Sequence, residues 1–359
     1  MNTYDYDELI DYAKEAWLPE SNPDSGFAVW NDLQYDNEHD QCETTTQPLV
    51  ISWNTFEKRV AEQKTLRDKL RDQGFCFWPW VIARHFGFDW LDFNQGNRGS
   101  CAGCATNHAV NAMLLTHLAD GYRFKFKRFN PYWTWDLGKR DANYHGEGAS
   151  LSMMLTCANK RGMFDVAKVG TYEQSLKTPP KYVQEHFDDA EKCQIGACYL
   201  GSFNGKELAR IVFDCLAAGY PIVFGNSVAV SQKVNYTGNI KTAINSGSWM
   251  HATARVAYRK EQNGAEYIAH QGSWGKYWEA GRYEQEPASV IWESFDTFTQ
   301  ACSARYADAF VLCMVEGEIV ENDDHNIAPI KIKISEFMDQ VSDHPDTRHL
   351  SPEFRPQEP

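Results

Sequence analysis

Apolar positions recur every three or four residues from Phe56 to Gln73, with Val60, Leu66 and Leu70 on one face and Gly74 as a stop. That spacing predicts a helix over 56–73. A second helix is predicted from Cys101 to about His117, where Ala102, Ala105, Ala109 and Ala112 recur at helical spacing after Ser100, a good N-cap. Gly146-Glu147-Gly148-Ala149-Ser150 leads into a third over Leu151–Arg161, Thr178-Pro179-Pro180 breaks the chain, and a fourth over Lys206–Ala218 ends at Gly219. The pattern then turns to strands. Pro221-Ile222-Val223-Phe224-Gly225 reads as a buried strand, and Ala252–Tyr258 with Ala265–His270 reads as a hairpin closed by an Asn263-Gly264 turn. Tyr306–Val315 supplies one more apolar strand. The ends differ from this middle. Residues 1–50 are acidic and irregular, with one amphipathic helix expected over Tyr4–Trp17. From Glu316 the chain is acidic again, with an alternating piece at Ile330, Ile332 and Ile334 and a Pro-rich close.

The chemistry concentrates before the second helix, in Asn94-Gln95-Gly96-Asn97-Arg98-Gly99-Ser100-Cys101. Cys101 falls in the first helical turn, where backbone N–H groups and the helix dipole favour a thiolate. Gln95 lies in the glycine-rich loop six residues earlier and can aim its amide at the same point. A thiolate with a backbone N–H and a side-chain N–H beside it is the equipment of acyl transfer. His251 precedes the hairpin's first strand, 150 residues after Cys101, and an imidazole is suited to take and return the thiol proton.

The run Gln95-Gly96…Gly99-Ser100-Cys101 resembles the nucleophile loop of papain-like cysteine peptidases, especially a bacterial and phage version of it. The resemblance covers about residues 86–315. It implies an α+β fold in two halves: a helical half with Cys101 heading its central helix, and a β-barrel-like half carrying His251 across a cleft. It implies Cys101 as nucleophile, His251 as general base and Gln95 as oxyanion donor. Gly146 and Gly148 would line the substrate cleft, although an ordinary helix-entry loop explains them too. Trp274, in Gly272-Ser273-Trp274-Gly275, would shield the imidazole from water. Three positions depart from the pattern: Arg98 replaces a cysteine, Ala102 an aromatic residue, and Gly272 the Asn that orients the base. Gln271 is the remaining candidate for that third member, although strand alternation points it to the other face. Residues 1–85 occupy the place of a propeptide or of an assembly arm, and 316–359 form an acidic tail outside the catalytic domain.

Composition narrows the field. A net charge of −14 with no basic stripe argues against nucleic acid, and no stretch nears the roughly 20 apolar residues of a membrane span. Met1–Tyr6 carries neither a basic nor an apolar signal region. Ten scattered cysteines without a small-scaffold framework suggest buried free thiols and a chain made, or assembled into a particle such as a virion, in a reducing cytoplasm. Neither cofactor nor metal is called for: there is no second C-x-x-C and no H-E-x-x-H. Cys101-Ala102-Gly103-Cys104 is formally a redox pair, but that reading leaves Gln95 and His251 unexplained. His108 lies about 10 Å along the helix from Cys101, too far to be its base, and His270 faces either the cleft or the core. Two functions stay open: a cysteine peptidase acting on peptide or protein, and a catalytically impaired structural or binding component that meets partners through 1–85 and 316–359.

Overall fold

Helices fill the first half of the described chain and strands the second. The structure, a computed structural model, describes residues 53–72, 76–119, 127–178, 180–281 and 286–315. The expected Tyr4–Trp17 helix and the acidic tail lie outside them. The helices are α1 (Trp53–Asp72), α2 (Pro79–His85), α3 (Cys101–Ala119), α4 (Pro131–Asp141), α5 (Leu151–Lys160) and three short ones, α6 (Val166–Val169), α7 (Tyr172–Lys177) and α8 (Gln184–Ala190). There follow β1 (Ile195–Tyr199), α9 (Gly205–Ala217), β2 (Ile222–Val230), β3 (Asn235–Thr237), β4 (Ile240–Thr242), β5 (Asn245–Lys260) and β6 (Glu266–Gln271). The last elements are β7 (Val290–Ser294), α10 (Phe295–Cys302) and β8 (Asp308–Val315). The fold is α+β, as expected.

α3 is the central helix, buried almost all round. A helix apolar on every side belongs inside a protein, and small side chains let its neighbours come close. A Cβ on Gly103 would meet the carbonyl oxygen of Pro131 at 2.7 Å and Cβ of Trp135 at 2.9 Å, so α4 crosses α3 at that point. Thr106, Asn107 and Asn111 are equally buried, and their side chains donate back to the carbonyls of Ala102, Gly103 and Asn107, which satisfies those buried donors.

The strands form one open eight-stranded sheet, ordered β1-β8-β2-β5-β6-β7-β4-β3. All neighbours pair antiparallel except β4 with β7. The long β5 lies at its middle, paired with β2 and β6, and packs against α3. Behind β5, Arg255 donates to Glu293 at 2.6 and 3.3 Å, and His270 Nδ1 lies 3.2 Å from the same carboxylate, all fully buried. Burial pushes the Glu293 carboxyl up, but Arg255 and His270 outweigh it and hold it at about 2.

The first predicted helix forms, but with a different inner face. Phe56 and Val60 are buried as patterning requires, yet Leu66 is 42% exposed and Arg67 takes the inward position. Successive helical residues turn by about 100°, so Leu66 cannot share the face of Val60 and Arg67. The Arg67 guanidinium lies over the ring of Phe77, 4.2 Å from its centroid. Phe56 and Val60 join Trp78 and Trp80 in the same core cluster as Cys101 and Ala252. Part of the stretch expected as an extension is therefore packed into the main core.

Candidate active site

Cys101 is the first residue of α3. The Ser100 carbonyl accepts the Cys104 N–H at 3.0 Å, which starts the helical hydrogen bonding there. The Ser100 hydroxyl shares a hydrogen bond of 2.6 Å with Tyr172 Oη, and Tyr172 Oη donates to the Gln95 carbonyl at 3.3 Å. Tyr172 thus ties both ends of the glycine-rich loop together from beneath. It is fully buried, its phenol pushed well up by burial. Sequence reasoning missed it, since nothing near Tyr172 links it to a loop more than seventy positions away.

The Gln95 side chain is fixed in two directions. Its Nε2 donates to the Arg98 carbonyl at 2.8 Å, which leaves the second N–H of that amide, and its Oε1 accepts from the Ser273 hydroxyl. The backbone joins as well. Gln95 N–H donates to Ser273 O and Gly275 N–H to Phe93 O, both at 2.8 Å, and Asn94 bridges Trp274 as a strand pair. The loop before the nucleophile is therefore sewn to the Ser273-Trp274-Gly275 segment.

That segment carries the contact to His251. The indole of Trp274 lies face to face with the imidazole, centroids 4.3 Å apart and planes 14° from parallel. Trp249 closes on the same imidazole at 5.0 Å and on Trp274 at 5.1 Å. Cys101 and Gln95 are fully buried and His251 is 2% exposed. A cleft of about 690 Å³ is lined by Asn94, Gly96 and Asn97 together with Trp249, Trp274 and Tyr277, neighbours in sequence of Gln95 and His251, while Cys101, Gln95 and His251 themselves are not among its lining residues.

The glycine-rich loop of Gly146 and Gly148 lies against the nucleophile loop. A Cβ on Gly99 would land on the Glu147 carbonyl oxygen and lie 3.0 Å from the Gly148 nitrogen. Only glycine permits that approach.

Gln271 is not beside His251, which corrects the expectation of a third member there. In the β5–β6 register Gln271 stands opposite Ala254, three positions from His251, so alternation turns it to the other face. Its Oε1 accepts from Trp90 Nε1 at 3.0 Å, and its side chain also bonds Asp92. A side chain at 272 would be tightly placed. A Cβ on Gly272 would lie 3.2 Å from the rings of both Trp274 and Trp278.

The other candidates are core groups. Burial drops His108 to about 3, and burial with the Arg255 charge drops His270 to about 4. Both are neutral near pH 7. The nine cysteines among the described residues are all buried and outside any disulfide, and burial holds the Cys104 thiol well up. Among the described residues no group of His, Cys, Asp or Glu is arranged to hold a metal ion, and no helix is long and apolar enough to cross a membrane.

No family model and no curated protein matches this sequence. Solved structures do align with it. Bromelain from Ananas comosus aligns over 67% of this chain and 98% of its own, at 15% identity and a TM-score of 0.42. Digestive procathepsin L 3 of Tenebrio molitor aligns over 60% and 64%, at 14% identity and a TM-score of 0.39. Xylellain, a cysteine protease from Xylella fastidiosa, aligns over 62% of this chain and 81% of its own, at 15% identity and a TM-score of 0.43.

Proposed function

We propose that this protein is a cysteine peptidase working by thiolate acyl transfer. One observation carries the reading: the loop that holds Gln95 and delivers Cys101 is hydrogen-bonded to Ser273-Trp274-Gly275, and Trp274 is stacked on His251. Three stretches far apart in sequence thereby converge at the edge of one cleft.

The chemistry follows from the groups. His251 takes the Cys101 proton, and the thiolate attacks the carbonyl carbon of a peptide bond. The second Gln95 N–H and the Cys101 backbone N–H, at the positive end of α3, stabilise the oxyanion. The imidazolium passes its proton to the leaving nitrogen as the C–N bond breaks, leaving a thioester on Cys101. Water, deprotonated by His251, then attacks the thioester, releasing the acid and restoring the thiol. The loop at Gly146 and Gly148 serves in this reading as the backing of the nucleophile loop, and peptides or proteins are the substrates.

Hydrolysis of a fluorogenic peptide library by the purified full chain tests the proposal. Turnover is expected, and Cys101→Ser and His251→Ala should each lower kcat by at least about 10³-fold. Turnover that survives both substitutions would overturn it.

A second reading has its own observation. Cys101 has no exposed surface, and tryptophan rings crowd the space beside Gly272. Both suit a protein that keeps the fold for assembly or binding. A folded chain that hydrolyses nothing, with Cys101 unreactive, would favour it.

A further inference from the structure

The residue that the resemblance assigns to orienting His251 is a glycine here, with two indole rings close over it. The structure offers another device. Trp274 covers one face of the imidazole, and Trp249 meets both the imidazole and Trp274, so three rings touch one another in a closed triangle. The Trp249 ring is itself pinned. Its Nε1 donates to Asn226 Oδ1 at 3.0 Å in a buried setting. Asn226 sits on β2 directly opposite His251 in the β2–β5 register, and opposed residues of an antiparallel pair project to the same face about 5 Å apart. Immediately beyond this pair the register slips, between Asn226 and Val228. The bulge gives β5 an extra residue at the point where Trp249 and His251 must crowd together.

We infer that Asn226, acting through Trp249, is the positioning residue for His251, in place of an amide at position 272. This rests on the peptidase reading of His251. The physical reason lies in the buried indole N–H. Its only good setting is the one that meets Asn226 Oδ1, so Trp249 has one ring orientation, and the imidazole stacked on Trp274 and packed against the tilted Trp249 is held in one plane. An imidazolium is also attracted to an indole face, so the clamp favours the protonated state that His251 reaches after taking the thiol proton. A hydrogen bond to Asn does the same work by other means.

The test uses the full chain with Asn226→Leu, which removes the acceptor at similar size, and Trp249→Phe, which removes the donor and keeps a ring. Two readouts are taken: kcat and KM on a fluorogenic peptide, and the ring-proton shifts of His251 in the chain labelled at histidine, assigned by their loss in His251→Ala. Each variant should lower kcat about tenfold with KM nearly unchanged. Each should also move the His251 ring protons out of their upfield, indole-shielded position. The double variant should be no worse than either single, because both break one contact. Asn226→Asp, which keeps an acceptor at the same reach, should recover most of kcat. A wild-type chain that turns over, with kcat and ring shifts unmoved in both single variants, would overturn the inference and leave the peptidase reading standing. A wild-type chain without turnover, whose His251 shifts still move in Asn226→Leu, would overturn the peptidase reading and leave the clamp standing. If Asn226→Leu fails to fold, Trp249→Phe decides alone by the same two readouts.

Discussion

Gly272 and Gly99 show how one hydrogen in place of a side chain decides what neighbours do. At 272 the missing Cβ lets the rings of Trp274 and Trp278 close over the position. Gly272→Asn should therefore fail to restore an orienting amide. The new side chain presses on both indoles, which must each give by a few tenths of an ångström, at a cost of about 1–3 kcal/mol in a packed core. A lower midpoint in urea unfolding, with no gain in peptide hydrolysis, checks this, and an activity gain at unchanged stability would contradict it. The absence of Asn at 272 was legible in the sequence, as were Gln95, Cys101, His251 and Trp274 as candidates. Their supports were not. Tyr172 and Asn226 act on the site through contacts across the fold, and neither sits in a local pattern that spacing rules can read.

Among the elements, α3 carries the most weight. Its run of alanines was a readable signal, and it predicted the helix within two residues of its observed end at Ala119. The close crossing with α4 was not readable, because α4 itself lacks a clean apolar period. Pro131 at its first position and Asn130 accepting the Tyr132 N–H are good start signals in retrospect, but Tyr132, Trp133 and Trp135 bury three sides at once. Gly103→Val should push α3 and α4 apart and destabilise the protein by about 1–3 kcal/mol, since backbone and Cβ atoms line the contact and cannot swing away. Thermal unfolding of this variant beside Ala109→Gly, which creates space without a clash, separates overpacking from lost helix propensity. Equal stability of Gly103→Val and wild type would contradict the crossing. In α1 the inner face was misjudged at Leu66 because Arg67 is buried, and a guanidinium over an aromatic ring is invisible to an apolar count.

The molecule as a whole is built around groups kept in the state that burial favours. His108 and His270 stay neutral because burial lowers them to about 3 and about 4, against 6.5 in an unfolded chain. Below pH 6.5 the unfolded chain takes up protons that the native one refuses, so stability falls as pH drops towards 4. The slope is about 1.4 kcal/mol per pH unit for each histidine fully in that window. Glu293, held at about 2, adds stability that is complete above pH 4.5 and is lost as pH falls towards 2. Urea midpoints measured at pH 7, 6, 5 and 4 should decline throughout, and a flat series would contradict these buried states. The α+β division was legible from the change of period near residue 220. The order of the sheet was not: β3, β4 and β7 are three to five residues long, and the parallel pairing of β4 with β7 rests on one register pair, Thr242 with Trp292.

The central claim is that Cys101 and His251 act as a pair, and the alkylation rate of Cys101 by iodoacetamide against pH tests it most directly. With the pair intact, Cys101 should react selectively among the cysteines and keep its rate well below the ordinary thiol range near 8.5. In His251→Ala that acidic limb should disappear, leaving a simple titration. Superimposable profiles for the two proteins would contradict the account.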